Sequence, residues 1–324
     1  MMNELSKKVL SGDVRTASHI IRNLEDQISG TDVVMRELFT AAGCSHIIGL
    51  TGAPGAGKST LIDELITACR KEKKTIGVLA VDPTSPFTGG AILGDRVRML
   101  NHSEDKDVFV RSLATRGYMG GLSKAVGEGI HVMEALKKEK IIVETCGVGQ
   151  QEVDVINHAH TVVVVLVPGM GDEIQAIKAG LMEIADIFVI NKADRDGAGK
   201  LYQELINMIS MSSKSGNWKI PVVKVTGFNE PKKFSQNVEE LRDRIEEHYQ
   251  YLVQSELLSS RVRRKATAEL NEVLWANILQ PVLNKLNADG EMEKMINKLI
   301  SKEADPYTLA EQVSQRYMKT ELIK

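Results

Sequence analysis

The chain is predicted to fold as an α/β protein: a mostly parallel sheet with helices on both faces, flanked by N-terminal helices and a C-terminal helical arm. Three observations carry this. From His46 to about Thr226, short β-branched runs alternate with amphipathic helical stretches, the pattern of strands joined by helical crossovers. Before His46 and after about Val238 the apolar spacing is helical and no strand-like run occurs. A glycine-rich string, Gly52 to Ser59, stands between the first strand and the next helix, the edge at which open parallel sheets bind ligands.

Residues up to about Cys44 read as helical. Val9, Ala17, Ile20, Ile21 and Leu24 recur at near-helical spacing, and Val33, Val34, Leu38 and Phe39 predict a second helix. Strands are predicted at His46–Thr51, Thr75–Asp82, Val108–Leu113, Ile141–Thr145, Thr161–Val167, Ile187–Asn191 and Pro221–Thr226. The later helices carry Leu241, Ile245, Leu252, Leu257 and Leu258, then Leu270, Leu274, Ile278, Leu283 and Leu286. The chain thus divides into an N-terminal helical extension (1–44), an α/β domain (45–250) and a C-terminal helical arm (251–324). No internal repeat or low-complexity segment interrupts it.

Composition narrows the function classes. A formal net charge of −2 and only 4% aromatic residues argue against a nucleic-acid binder, which needs a basic face and stacking rings. Cys44, Cys69 and Cys146 stand far apart with no CxxC pair, which argues against a disulfide framework and fits a reducing compartment. The N-terminus MMNELSKKVLSGD lacks an apolar secretion segment and is too acidic and Arg-poor for a transit peptide. The most apolar run, Val162 to Val167, is far too short to span a bilayer. A cytoplasmic protein with no membrane role is expected.

Gly52-Ala53-Pro54-Gly55-Ala56-Gly57-Lys58-Ser59 matches G-x-x-x-x-G-K-[ST]. The glycines let the backbone wrap a phosphate so that several N–H groups point inwards, and the following helix adds its N-terminal partial charge. Gly52, Gly55, Ala56, Gly57, Lys58, Ser59 and Thr60 are therefore candidate phosphate residues, Lys58 reaching the β- and γ-phosphates and Ser59 ligating Mg²⁺. The strand IIGLT before the motif, and Leu61, Ile62, Leu65 and Ile66 on one helix face after it, give it the required setting.

Asn191-Lys192-Ala193-Asp194 follows a second apolar strand. A carboxylate there accepts from guanine N1–H and the 2-amino group, neither of which adenine offers, so Asn191, Lys192 and Asp194 are candidate base-side residues. Glu144 ends the strand KIIVE and precedes Thr145-Cys146-Gly147. It is a candidate Mg²⁺ holder, with Gly147 N–H at the γ-phosphate. Asp82, at the end of TIGVLAVD, either orients water or Mg²⁺ or serves as a turn-forming residue before Pro83. Lys58, Asp82 and Glu144 form the candidate catalytic set. Val148, next to Gly147, cannot orient water as glutamine does; Gln150 and Gln151 lie further on, so slow intrinsic hydrolysis is expected.

With these residues in place, the chain resembles the methylmalonyl-CoA mutase-associated GTPases (the MeaB/ArgK group). The resemblance rests on GAPGAGKSTLIDEL (52–65), VDPTSPFTGGAILGDRVRM (81–99), RSLATRGYMGGLS (111–123), ETCGVGQQEVDV (144–155), GDEIQAIKAGLMEIADIFVINKAD (171–194) and DPY at 305–307. It implies a GTP- and GDP-binding, Mg²⁺-dependent homodimer held by C-terminal arms. By resemblance such a protein escorts an adenosylcobalamin-dependent acyl-CoA mutase, gating cofactor loading and protecting or rescuing the mutase. It also implies switch I at Asp82 to Arg98, switch II at Glu144 to Asp154, and a partner-sensing segment at Met170 to Lys178. Asp172, Glu173, Gln175 and Lys178 are that segment's candidate switch residues. The family's Val and Ser are Cys146 and Gln151 here, and its guanine-stacking Ser-Ala reads Val225-Thr226-Gly227-Phe228, which leaves that loop unassigned.

Plainer readings stand beside these. Asp172 with Gln175 is also the pattern of a helix N-cap box. Cys69 falls on an apolar helix face and reads as core, and Cys146 has no second Cys or His at ligand spacing. His158 and His160 precede a strand, where their side chains diverge. Arg261, Arg263, Arg264 and Lys265 read as a solvated helix face or an arm-to-partner contact. A nickel-insertion GTPase of the same branch, or a nucleotide-dependent kinase, remains the alternative function.

Overall fold

The computed structural model describes residues 2–317 except 27, 44, 83–99, 103, 115–120, 146, 148–156, 170–181, 212–216 and 228, and omits the side chains of 82, 100, 114 and 121–123. The chain divides into two units, Met1–Glu269 and Leu270–Lys324.

Seven strands build the first unit: β1 (His46–Gly52), β2 (Ile76–Asp82), β3 (Val108–Ala114), β4 (Lys140–Glu144), β5 (Thr161–Leu166), β6 (Ile187–Ile190) and β7 (Val222–Lys224). Their order is β3-β2-β4-β1-β5-β6-β7, and every neighbouring pair runs parallel. Each predicted strand is present, with ends moved by a residue or two.

The near-continuous apolar character of the strands follows from burial on both faces. In β5, Val162, Val164 and Leu166 enter one core layer, while Val163 and Val165 enter the other. The first layer is closed by α1 (Glu4–Leu10), α2 (Val14–Glu25), α3 (Thr31–Phe39), α5 (Gly121–Ala135) and α6 (Ala198–Met211), which supply Val9, Ile20, Leu38, Ile130 and Leu201. The second is closed by α4 (Lys58–Lys71) and α7 (Pro231–Gln254), through Leu61, Leu65, Val238, Leu241 and Ile245. Cys69 is buried in that layer as predicted, and burial pushes its thiol up to about 11.

Two helical expectations change. Where spacing alone predicts two N-terminal helices there are three. Gly12 turns the chain with φ +95°, and the Asp13 carboxylate accepts from the N–H groups of Arg15 and Thr16 to start α2 afresh. In α3, Val34 and Leu38 are buried while Val33 and Phe39 are exposed.

The basic stretch also departs from its expected solvated face. In α8 (Leu257–Leu274), Arg263 and Arg264 are exposed, but Arg261 pairs with buried Asp186 at 2.7 Å. Lys265 is buried, 3.6 Å from Glu134 and 3.8 Å from Glu269. Half the stretch therefore docks inward, on acidic groups of its own unit. His158 and His160 do diverge: His158 Nδ1 lies 3.7 Å from Glu269, whereas Ile47 N–H donates to His160 Nδ1 at 3.2 Å.

The second unit continues α8 through a π-helical turn, Trp275–Leu279, into α9 (Gln280–Ala288), α10 (Glu291–Ile300) and α11 (Pro306–Tyr317). Leu286 and Leu309 are buried there, while Leu270, Leu274, Ile278 and Ile300 are exposed. Among the described residues, no helix is long and apolar enough to cross a membrane.

Candidate functional site

The site forms at the carboxyl edge of the sheet, where β4 and β1 end as neighbours and β6 ends one strand further on, beyond β5. β1 stops at Gly52 and α4 starts at Lys58, so the five residues Ala53 to Gly57 turn the chain through the phosphate-binding motif. Gly57 is the pivot. Its φ is +84°, and a Cβ there would lie 2.6 Å from Asn191 Nδ2, so both conformation and space demand glycine.

Lys58 is buried, and its Nζ donates to Gly52 O at 2.8 Å and Ala53 O at 3.2 Å, which folds the ammonium back over the loop. Ser59 follows in the first turn of α4, and its hydroxyl donates to Glu144 Oε1 at 3.0 Å. Both residues are buried. A hydroxyl and a carboxylate in contact at a helix N-terminus are hard oxygen donors, and that donor set fits Mg²⁺. Thr60, half-buried, completes the turn.

Glu144 is the last residue of β4, and its neighbour in β2 is Ala80. Asp82 closes β2 two residues on, at the same sheet edge; its side chain lies outside the described residues. Gly147 is held by its carbonyl, which accepts from Thr51 Oγ1 at 2.8 Å. Thr145 Oγ1 lies 2.9 Å from Thr51 Oγ1 and 3.1 Å from the same carbonyl.

The Asn191–Asp194 string, after β6, reaches the phosphate loop from the other side. Asn191 Nδ2 donates to Ala56 O at 2.8 Å, and Lys192 Nζ donates to Gly55 O at 3.0 Å. Asn191 Oδ1 accepts from Lys192 N–H at 2.9 Å. These side chains brace the loop from behind. Asp194 is exposed beyond them, and its carboxylate accepts from Gly227 N–H.

The structure thus gathers Gly52 to Thr60, Glu144, Gly147, Asn191, Lys192 and Asp194 around one edge. Cys146, Gln150, Gln151, Asp172, Glu173, Gln175 and Lys178 lie outside the described residues. Sequence reasoning missed Thr51 and Thr145. Each is a hydroxyl at or just beyond the end of a central strand, ahead of a glycine, and that position is the only signal they give.

Comparison with known proteins fits this geometry. The family model for the methylmalonyl-CoA mutase-associated GTPase MeaB matches residues 19–287. A relative in Pyrococcus horikoshii, named as a GTPase, is 43% identical over 318 residues, covering 97% of this chain and 98% of its own. The mitochondrial methylmalonic aciduria type A homolog of Mus musculus is 30% identical over 263 residues, 80% of this chain and 62% of its own. A crystal structure titled LAO/AO transport system kinase superposes with a TM-score of 0.72 at 22% identity, covering 97% of this chain and 98% of that one, which shows the shared fold. With the phosphate loop, its acidic partner and a matching fold in one chain, the protein belongs to the methylmalonyl-CoA mutase-associated GTPase family, MeaB, and is a P-loop GTPase.

Proposed function

We propose that this chain is a Mg²⁺-dependent GTPase whose nucleotide state controls cofactor loading and protection of an adenosylcobalamin-dependent acyl-CoA mutase, and that it works as a cytoplasmic homodimer. The observation that carries the chemistry is the buried Ser59–Glu144 contact beside a lysine-bearing phosphate loop. The family name and the string GDEIQAIKAG (171–180) support the partner.

In this reading the loop from Gly52 to Thr60 presents backbone N–H groups to the β- and γ-phosphates, and Lys58 places its charge between them. Ser59 and Glu144 would hold Mg²⁺, which when bound offsets negative charge on the phosphate oxygens. Hydrolysis forms a bond from water oxygen to the γ-phosphorus as the bond to the β–γ bridging oxygen breaks. The electron pair leaves on GDP, and Lys58 stabilises that developing charge. Asp194 accepts from guanine N1–H and the 2-amino group, and Asp82 orients water or the metal's hydration shell. Val148 has no amide with which to orient the attacking water, so basal turnover is slow and a partner completes the catalytic arrangement.

Titrating a purified mutase of this class against phosphate release tests the reading, in wild type and in Lys178→Ala. Stimulation by the mutase that vanishes in the variant, with basal turnover intact, is the expected result. A mutase that neither binds nor alters turnover in any nucleotide state defeats the partner assignment and leaves the GTPase standing.

A further inference from the structure

We infer that Asn237, on α7, is a positioning residue for guanine recognition: it holds the loop whose backbone N–H aims the Asp194 carboxylate. This rests on the reading of Asp194 as the base ligand and extends it to the group that sets its direction. Val225, Thr226 and Gly227 follow β7 and are stitched to the end of β6 by two backbone bonds. Val225 N–H donates to Ile190 O and Ala193 N–H donates to Val225 O, both at 2.9 Å. Gly227 N–H donates to Asp194, and a Cβ at 227 would lie 2.8 Å from Asp194 Oδ1. The backbone therefore approaches the carboxylate closely, and a small shift of the loop moves it.

Thr226 decides where that loop lies. It is buried, and both its N–H (3.2 Å) and its hydroxyl (3.3 Å) donate to Asn237 Oδ1. Asn237 is fixed in turn, because Phe234 and Val238 on the same helix are buried in the core layer beneath the sheet. Glu230 N–H closes the ring by donating to Gly227 O at 3.2 Å. A chain of contacts therefore runs from the packed core through Asn237 and Thr226 to the carboxylate, and Asn237 Oδ1 is the acceptor that ties Thr226 to the helix. Among the described residues these contacts do not reach the phosphate loop, so their loss is expected to act on base choice and to leave phosphate binding in place.

The test compares binding of GDP and IDP, which differ only in the 2-amino group that Asp194 is assigned to recognise. Wild type prefers GDP. Asn237→Ala cuts the GDP-to-IDP affinity ratio by about tenfold, the weight of one hydrogen bond to a charged group. Asn237→Asp, which keeps an acceptor at the same reach, restores most of it. Thr226→Val, which removes the hydroxyl and keeps the N–H, falls between. Thermal unfolding of each variant, with and without Mg²⁺-GDP, separates misfolding from misdirection; should Asn237→Ala fail to fold, Thr226→Val carries the comparison. A wild type that binds GDP and IDP alike defeats the base assignment and this inference with it. A wild type that prefers GDP, beside folded variants with an unchanged ratio, overturns the role of Asn237 alone.

Discussion

Ser59 and Glu144 stand 85 residues apart in the chain and 3.0 Å apart in the fold, while Lys58 arches back over Gly52. At this scale the chemistry depends on charge placed against phosphate. Replacing Lys58 with Ala should abolish tight GTP binding, because the contact proposed for it with both terminal phosphates would be lost. Glu144→Gln should lower turnover by about 10- to 100-fold and nucleotide affinity far less, since an interaction that grows in the transition state appears in rate before binding. Phosphate release alongside fluorescent-nucleotide titration separates the two effects, and equal losses in both would assign Glu144 to ground-state binding. Asp194→Asn should shift preference from guanine towards xanthine nucleotide, whose extra carbonyl accepts from the new amide. Retained wild-type preference in a competition assay would remove Asp194 from the base site. These residues were legible because each motif is a short, continuous solution to a backbone problem. Thr51 with Thr145, and Asn237 with Thr226, were not, because their roles arise only when distant segments meet.

Among elements, the strands were legible from their β-branched runs because burial on both faces leaves little choice of residue. The break between α1 and α2 was harder, since apolar spacing continues across it and only the Asp13 cap marks the restart. The inward half of the α8 basic stretch was invisible, because a charged helix face looks the same whether it meets water or buried carboxylates. Those carboxylates belong to a polar layer with pH consequences. Burial, with the positive charges of Lys265, Arg261 and Arg264, pushes His160 from an ordinary 6.5 down to about 4. Burial likewise pushes His46 well down. For His160, between pH 6.5 and about 4 the unfolded chain binds a proton that the folded chain refuses, and stability falls as pH falls through that window; His46 acts in the same direction. For His160 this amounts to at most about 3 kcal/mol. His131 behaves oppositely. Burial lowers it, but hydrogen bonds to Glu134 and Glu269 outweigh burial and raise it, so its contribution is full below pH 6.5 and lost as pH rises through its raised value. Urea unfolding from pH 4 to 8 should show the acid-side loss, and His160→Asn should shrink it. An unchanged slope in that variant would mean other groups set the acid limit.

For the whole molecule, the second unit buries little of its own apolar surface: Leu270, Leu274, Ile278 and Ile300 are exposed. In the proposed homodimer a second copy would cover these side chains. Truncation after Glu269 retains Arg261, Lys265 and Glu269 and should leave a folded monomer by light scattering, where the full chain is expected to be a dimer at micromolar concentration. A full-length monomer under those conditions would refute the arm's proposed role. In the proposed function, nucleotide state and mutase binding are coupled in one molecule. Reciprocity tests it most directly, because a partner that favours the GTP state must tighten GTP binding by the same factor by which GTP tightens the partner. Mutase affinity should be measured with the chain held by a non-hydrolysable GTP analogue and by GDP, and the analogue and GDP affinities should then be measured with and without the mutase. Two matching ratios, both different from one, are expected. Mutase affinity indifferent to nucleotide, alongside intact GTP hydrolysis, would contradict the coupling.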